Sequence, residues 1–231
     1  MNKKLLAVAI GAVAALPLSV QAAGPTLYGK LNLSLENMDN GTTDTWTVES
    51  NSSRIGVKGD AETGVDGVMG IYVAEFEVMA DDGMKTAPAG TDPLTARNIY
   101  AGVKGGFGTV MMGNMDTPTK TVQGKVDQFN DSRVDMGALL VAGDLRAPNV
   151  LAYATPKIAD AVTVTAALWQ SEVVGDGIGE ATSVSAVYDN EGIYLGVGMD
   201  METPVKGGVG LAGKNDITRL VAGYNSDSFD V

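Results

Sequence analysis

Apolar and polar residues alternate along most of this chain in short runs. Leu27-Tyr28-Gly29-Lys30-Leu31-Asn32-Leu33-Ser34-Leu35-Glu36 is the clearest. Leu27, Leu31, Leu33 and Leu35 share one face, and Lys30, Asn32, Ser34 and Glu36 share the other. A period of two predicts a β-strand with two chemically different faces. The same pattern, complete or partial, predicts strands over 46–59, 68–79, 96–105, 109–114, 149–156, 162–172, 181–188, 193–201 and 218–224. That makes ten strands. Connectors such as DNGTTD, ETGVDG, KGGFG and NSDS carry the Gly, Asn and Asp chemistry of hairpin turns.

The first 22 residues follow a different pattern. Lys3 and Lys4 precede an apolar run from Leu5 to Leu16, which Pro17 and Ser19 break. Val20-Gln21-Ala22 then has the small-x-small form of a cleavage site. This is the layout of a secretory signal peptide, and the run is shorter than the ~20 residues a membrane-spanning helix needs. Residues 1–22 are therefore assigned as a signal peptide and 23–231 as the mature β-domain.

Composition narrows the chemistry. The 231 residues include no Cys and no His. That excludes disulfides, a Cys nucleophile, a Ser-His-Asp triad and sites ligated by His or Cys. No enzyme, metal or cofactor is expected. The net charge is −12, and loss of Lys3 and Lys4 makes the mature chain more acidic still. No nucleic-acid partner is expected from such a field.

Two all-β architectures fit the alternation. A soluble sandwich places one strand face in a core; an outer-membrane barrel places its apolar face in lipid and its polar face in a wet lumen. Export without Cys favours the barrel, as does the alternation of short turns with longer polar loops. Tyr28, Trp46, Tyr72, Tyr100, Tyr153, Trp169, Tyr188 and Tyr224 lie near strand ends, as the aromatic girdles of a barrel would. A secreted or surface-attached β-rich adhesin is the alternative of a different class.

One stretch, 116–148, holds no strand pattern and carries Asp116, Lys120, Lys125, Asp127, Asp131, Arg133, Asp135, Asp144 and Arg146. Structureless segments of this length are often functional. In a barrel it can fold inward and narrow the lumen. Other motifs are weaker. Gly208-Val209-Gly210-Leu211-Ala212-Gly213 matches GxGxxG, but the next segment reads as a strand, not the helix that phosphate binding requires. Acids around 39–44 and 60–66 lack EF-hand spacing. Glu75 and Glu77 share one strand face and read as a lumen-facing polar stripe, not a glycosidase pair.

Four strings carry a resemblance: TLYGKLNLSLE (26–36), SSRIGVKGDAE (52–62), ARNIYAGVKGGFGTVMMGN (96–114) and RAPNVLAYATPK (146–157). In this order after a signal peptide, they make the chain resemble the general bacterial porins, trimeric 16-stranded outer-membrane barrels. The resemblance implies a transmembrane antiparallel β-barrel with its long third loop folded into the lumen. It also implies a passive diffusion channel for ions and small hydrophilic solutes, a homotrimer, and contact with outer-membrane lipid and lipopolysaccharide. By the same resemblance, basic Lys30, Arg54, Arg97 and Arg146 line the pore, and Asp127, Asp131 and Asp135 oppose them from the loop. The chain departs from the family at Asn114, where a basic residue is common, and at Ala152 and Ala154, where many members carry charge. These departures imply less basic charge at the constriction, and the acidic mature chain suggests weak cation preference.

Two further expectations follow. Arg97 shares parity with Ile99, Ala101 and Val103, which look lipid-facing. Either a bulge turns it inward, or Tyr100 and Gly102 face outward into a subunit contact, which the family favours. The chain also ends Ser226-Asp227-Ser228-Phe229-Asp230-Val231, a turn and the first residues of a further strand. With ten strands against sixteen, about six are expected beyond residue 231, the competing idea being a complete ten-stranded barrel.

Overall fold

The structure, a computed structural model, describes residues 24–39, 44–81, 94–132, 135–140, 142–172, 177–204 and 214–225. The signal segment, the glycine-rich run 208–213 and residues 226–231 lie outside these. Alternation yields β-structure throughout: β1 (Thr26–Lys30), β2 (Leu33–Asp39), β3 (Asp44–Ser50), β4 (Arg54–Glu62), β5 (Val68–Val78) and β6 (Leu94–Gly105). These are followed by β7 (Gly108–Asp116), β8 (Arg146–Ala154), β9 (Val162–Trp169), β10 (Ala181–Asn190), β11 (Ile193–Pro204) and β12 (Lys214–Tyr224). Ten of them form one antiparallel sheet in the order β1-β4-β5-β6-β7-β8-β9-β10-β11-β12, while β2 and β3 pair separately. Among the described residues β1 and β12 are the two edges of the sheet and do not pair with each other.

Twelve strands replace the ten expected because two are each broken once. The 27–36 strand breaks at Leu31 and Asn32, and the 46–59 strand breaks at 51–53. The breaks face one another: Asn51 N–H donates to the Asn32 carbonyl (2.8 Å), and Asn32 N–H donates to Ser53 Oγ (3.0 Å). Ser52 has φ 52°, a left-handed conformation that interrupts a ladder. The hairpin therefore kinks, and β2–β3 continues it past the kink.

The register assigns every strand two faces. On one lie Leu27, Leu31, Ile55, Tyr153, Leu195 and Leu220, all exposed. An apolar face this continuous marks contact with lipid or another chain. On the other lie Lys30, Arg54, Glu75, Tyr100, Met111, Ala152, Trp169, Ser183, Gly198 and Arg219, placed together by the cross-strand partners. Between Ala74 and Phe76 the β5–β6 pairing slips: β5 advances two residues while β6 advances three, from Ile99 to Ala96. This bulge turns Arg97 to the inner face. Tyr100 and Gly102 stay on that face too, so the family-based expectation that they point outward is corrected. The aromatic expectation is corrected in part. Tyr72, Tyr153, Tyr188 and Tyr224 are outer-face residues and Trp46 is exposed, but parity turns Tyr28, Tyr100 and Trp169 inward.

The segment between β7 and β8 crosses the inner face. Its first element is a short helix, α1 (Pro118–Val122), capped by the Thr117 side chain; a second, α2 (Met136–Leu139), is capped by Asp135. α1 packs on β9–β12. Val122 and Thr119 are fully buried there. At its roots the loop covers an apolar patch of Met115, Ala147, Val150, Ala152, Ala167, Trp169 and Ala181, with Tyr100 and Met111 alongside. The inner face under the loop roots is thus apolar, where uniform polarity would be the simpler expectation for a wet lumen.

Close approach of α1 requires glycine on β11. A Cβ at Gly198 would lie 2.7 Å from Thr119 Cα, and one at Gly196 would lie 2.5 Å from Val122 Cγ1. The Gly198 clash is with backbone and has no cheap relief. Gly198→Val is expected to lift α1 off the wall and destabilise the fold by about 1–3 kcal/mol. In a Trp46→Phe background, acrylamide quenching of Trp169 should rise; unchanged quenching would mean that α1 stays seated.

Candidate functional site

The loop bears charge and touches both ends of the sheet. At the far end Arg219 of β12 gathers it: the guanidinium donates to Gln123 Oε1, to the Thr119 carbonyl (3.4 Å) and to the Ala142 carbonyl (3.3 Å). Thr119 N–H donates to Ser183 Oγ (3.1 Å), Tyr194 OH donates to the Val122 carbonyl (2.7 Å), and Lys125 pairs with Asp189 (2.7 Å). At the near end Asp131 meets β1 and β4. It takes a two-pronged contact from Arg54 (2.8 and 3.2 Å) and a third from Lys30 (3.0 Å). Paired contacts of this kind fix orientation as well as distance.

These anchors imply curvature. Nine inter-strand gaps separate β1 from β12, about 43 Å if flat. Thr119 and Asp131 are twelve residues apart, about 42 Å only when fully extended. The connecting chain is instead a helix and successive turns, such as Val126 N–H to Gln123 O and Asn130 N–H to Asp127 O. So short a bridge reaches both ends only if the sheet curls around it.

Between loop and wall lies a cavity of about 1020 Å³. Lys30, Arg54, Arg97, Arg146, Asp127, Asp131 and Asp135 all line it. The seven do not play one role. Lys30 and Arg54 contact the loop through Asp131. Arg97 pairs within the wall, with Glu75 (2.7 Å) and Glu77 (2.7 Å), and Tyr28 OH donates to Glu75 (2.9 Å). Arg146, the first residue of β8, pairs with Asp116 (3.1 Å), which also meets Lys120 (3.2 Å); Lys120 reaches Asp144 (3.4 Å). Asp135 is engaged locally. One of its oxygens caps α2 at Gly137 N–H, and the other accepts the Asp131 N–H (2.7 Å), holding Asp131 at φ 65°. It positions Asp131 and does not itself oppose a wall cation. Asp127 is buried, and its Oδ1 has no hydrogen-bond partner. Burial, with Asp135 and then Asp144 nearby, pushes its carboxyl above the ordinary range.

Sequence patterning missed the far anchor. Arg219 and Asp200 are both buried inward residues of the β11–β12 pair. A charge on the inner parity of an otherwise apolar strand such as ITRLVAGY was the available signal. Among the described residues no group of three or more Asp or Glu is placed to hold a metal.

A family model described as Gram-negative porin matches residues 6–231. The chain belongs to the Gram-negative porin family. This porin is 35% identical to a monosaccharide porin of Halomonas sp over 129 residues, 51% of this chain and 34% of that protein. It is 28% identical to the major outer membrane protein P.IB of Neisseria meningitidis serogroup B over 242 residues, 99% of this chain and 68% of that one. Among solved structures, the anion-selective porin from Comamonas acidovorans matches with TM-score 0.67 at 19% identity, covering 88% of this chain and 64% of that chain. The trimer form of Vibrio cholerae OmpT matches with TM-score 0.56 at 17% identity, covering 88% and 62%. At these identities the likeness shows the fold. The chain spans about a third of the Halomonas porin and just under two thirds of the Comamonas porin. The adhesin alternative finds no support in these matches.

The near anchor of this porin loop has a definite pH sense. Burial raises the Asp131 carboxyl, but hydrogen bonds and charge from Arg54 and Lys30 outweigh it and hold it below the ordinary range. A depressed carboxyl stabilises the folded state above its unfolded pKa of about 3.9, and the contribution fades as pH falls through the lower native value. Trypsin cleavage within 120–133 should therefore be slow in Asp131 protein at neutral pH and faster, by about tenfold for a loss near 1.4 kcal/mol, in Asp131→Asn. Equal rates would show that Asp131 does not hold the loop.

Proposed function

We propose that this porin is a passive diffusion channel of the outer membrane for ions and small hydrophilic solutes. The observation that carries the reading is the charged 1020 Å³ cavity left between an anchored inner loop and the sheet. Solutes passing it meet polar and charged groups, while the loop sets the width. The channel performs no chemistry and uses no cofactor. All seven residues, Lys30, Arg54, Arg97, Arg146, Asp127, Asp131 and Asp135, belong to the constriction, with Asp135 acting through Asp131.

The wider assembly follows from the two faces. Sheet edges cannot stay unpaired in hydrocarbon, so the sheet belongs to a closed barrel in the membrane, for which the resemblance to the general porins implies sixteen strands. Segment 1–22 directs export and is cleaved. The exposed apolar outer face meets lipid, lipopolysaccharide and sister subunits of a homotrimer. OmpT of Vibrio cholerae, whose trimer form is among the similar structures, supports the last point.

The full-length protein in a planar bilayer is expected to give stepwise conductance, and its liposomes should swell faster with a monosaccharide than with a large oligosaccharide. Absence of both signals in correctly inserted protein would remove the channel reading.

A further inference from the structure

We propose that the inner wall carries a binding subsite for a single aromatic ring bearing a neutral polar group, in a second cavity at the root of the loop. Solutes reach it through the lumen, so the proposal rests on the channel reading above. The cavity measures about 240 Å³. Tyr100, Met111, Met115 and Ala152 supply its apolar wall, and Pro118 and Thr121 of α1 close it from the loop side. Asn98, Asp116 and Thr121 line both this cavity and the larger charged one, so the two adjoin.

Size, surface and charge each restrict the occupant. A dry cavity of about 150 Å³ is enough for benzene, and drug-sized ligands need roughly 300 Å³ or more. A space between these values takes one six-membered ring with a small substituent. The wall favours an aromatic ring over an aliphatic one. Met111 and Met115 bring polarizable thioethers, which make favourable contacts at ring edges, and Tyr100 offers a ring for offset or edge-on stacking. Met115 and Ala152 are buried, while Tyr100 and Met111 are only partly so, which leaves apolar surface open beside the charged cavity. Asp116 is the one charged residue of the lining, and its charge is already matched. Its Oδ1 pairs with Arg146 (3.1 Å) and Lys120 (3.2 Å), and its Oδ2 accepts from Asn98 (3.0 Å). The Asn98 amide oxygen in turn accepts the Asp116 N–H (2.9 Å) and the Arg146 Nε–H (3.2 Å). An ionic solute therefore finds no free countercharge here. The hydroxyls of Tyr100 and Thr165 form no hydrogen bond with a described residue, so they remain to pair with a neutral group such as a phenolic hydroxyl.

The test titrates phenol into the full-length protein in detergent and follows isotope-labelled methionine methyl groups by NMR. A pH of about 6 keeps phenol neutral, since a phenolic hydroxyl titrates near ~10. Met111 and Met115 resonances, assigned with Met111→Leu and Met115→Leu, are expected to shift and to saturate together. Met112 faces outward opposite Ala101 on the same strand and reports phenol dissolved in the detergent, so it should only drift in proportion to the phenol added. Ala154→Phe, which fills the cavity from the next inward position of β8, should raise the half-saturating concentration by about tenfold. Thr165→Leu fills it from β9 and should do the same where Ala154→Phe does not insert. Cyclohexanol should bind more weakly than phenol. Met111 and Met115 signals that stay fixed, or only drift as Met112 does, overturn the subsite, as does a half-saturating concentration that the filling variants leave unchanged. Cyclohexanol saturating as tightly as phenol overturns the aromatic class. Saturable phenol binding to a protein that gives no conductance strikes the channel reading and leaves the subsite standing, whereas conductance without saturable shifts does the reverse.

Discussion

The double anchoring of one short loop is the constraint on which the rest of this structure depends. Residues 117–132 are seated on β9–β12 through Val122, Thr119 and Arg219, and on β1–β4 through Asp131. A chain with so little reach joins the two ends of a ten-stranded sheet only across a curved inner face. Curvature, the inward orientation of the charged residues and the size of the cavity follow from that one bridge. The two anchors differ in kind. The far one is a packed contact with hydrogen bonds from Arg219 and Tyr194. The near one is a charged clasp at a single carboxylate.

The wall resolves a conflict between burial and charge. Arginines held under a loop lose much of their hydration, and an unpaired buried charge is costly. Glu75 and Glu77 remove that cost by pairing with Arg97 within the same sheet, and Asp131 does so for Arg54 from the loop. The bulge at Arg97 makes the first of these possible, since regular parity would have aimed the side chain at lipid. A wall built this way is rigid, because each guanidinium is held by two or more contacts. It is also weakly basic for its arginine content.

Much of this was legible in the sequence, and the failures have specific causes. Lys30 and the Glu75–Glu77 stripe fell on the inner face because strict alternation leaves no other choice. The 116–148 segment stood out because it broke the pattern. Arg97 was ambiguous because a bulge adds a residue without leaving a compositional mark, and parity reasoning assumes none. The kink at Ser52 was invisible for the same reason: alternation continues on both sides of it. Tyr28, Tyr100 and Trp169 were misassigned because nearness to a strand end does not fix the face, whereas cross-strand register does. Arg219 escaped notice because its partners, Thr119 and Gln123, are distant in sequence and carry no motif.

The apolar patch under the loop roots explains why the bridge does not collapse onto the wall everywhere. Met115, Val150, Ala152, Ala167 and Trp169 hold the roots by burial, and Gly196 and Gly198 let α1 approach the backbone of β11. Past Gln123 the wall offers no such surface. Lys30, Arg54, Glu75 and Arg97 line it instead, paired with one another or with Asp131 and bordering the cavity. The loop therefore lies tight where the inner face is apolar or glycine-rich and stands off where it is charged, touching down again only at Asp131. The change from apolar to charged residues along the inner face thus positions the opening, and the length of chain between the anchors limits its width.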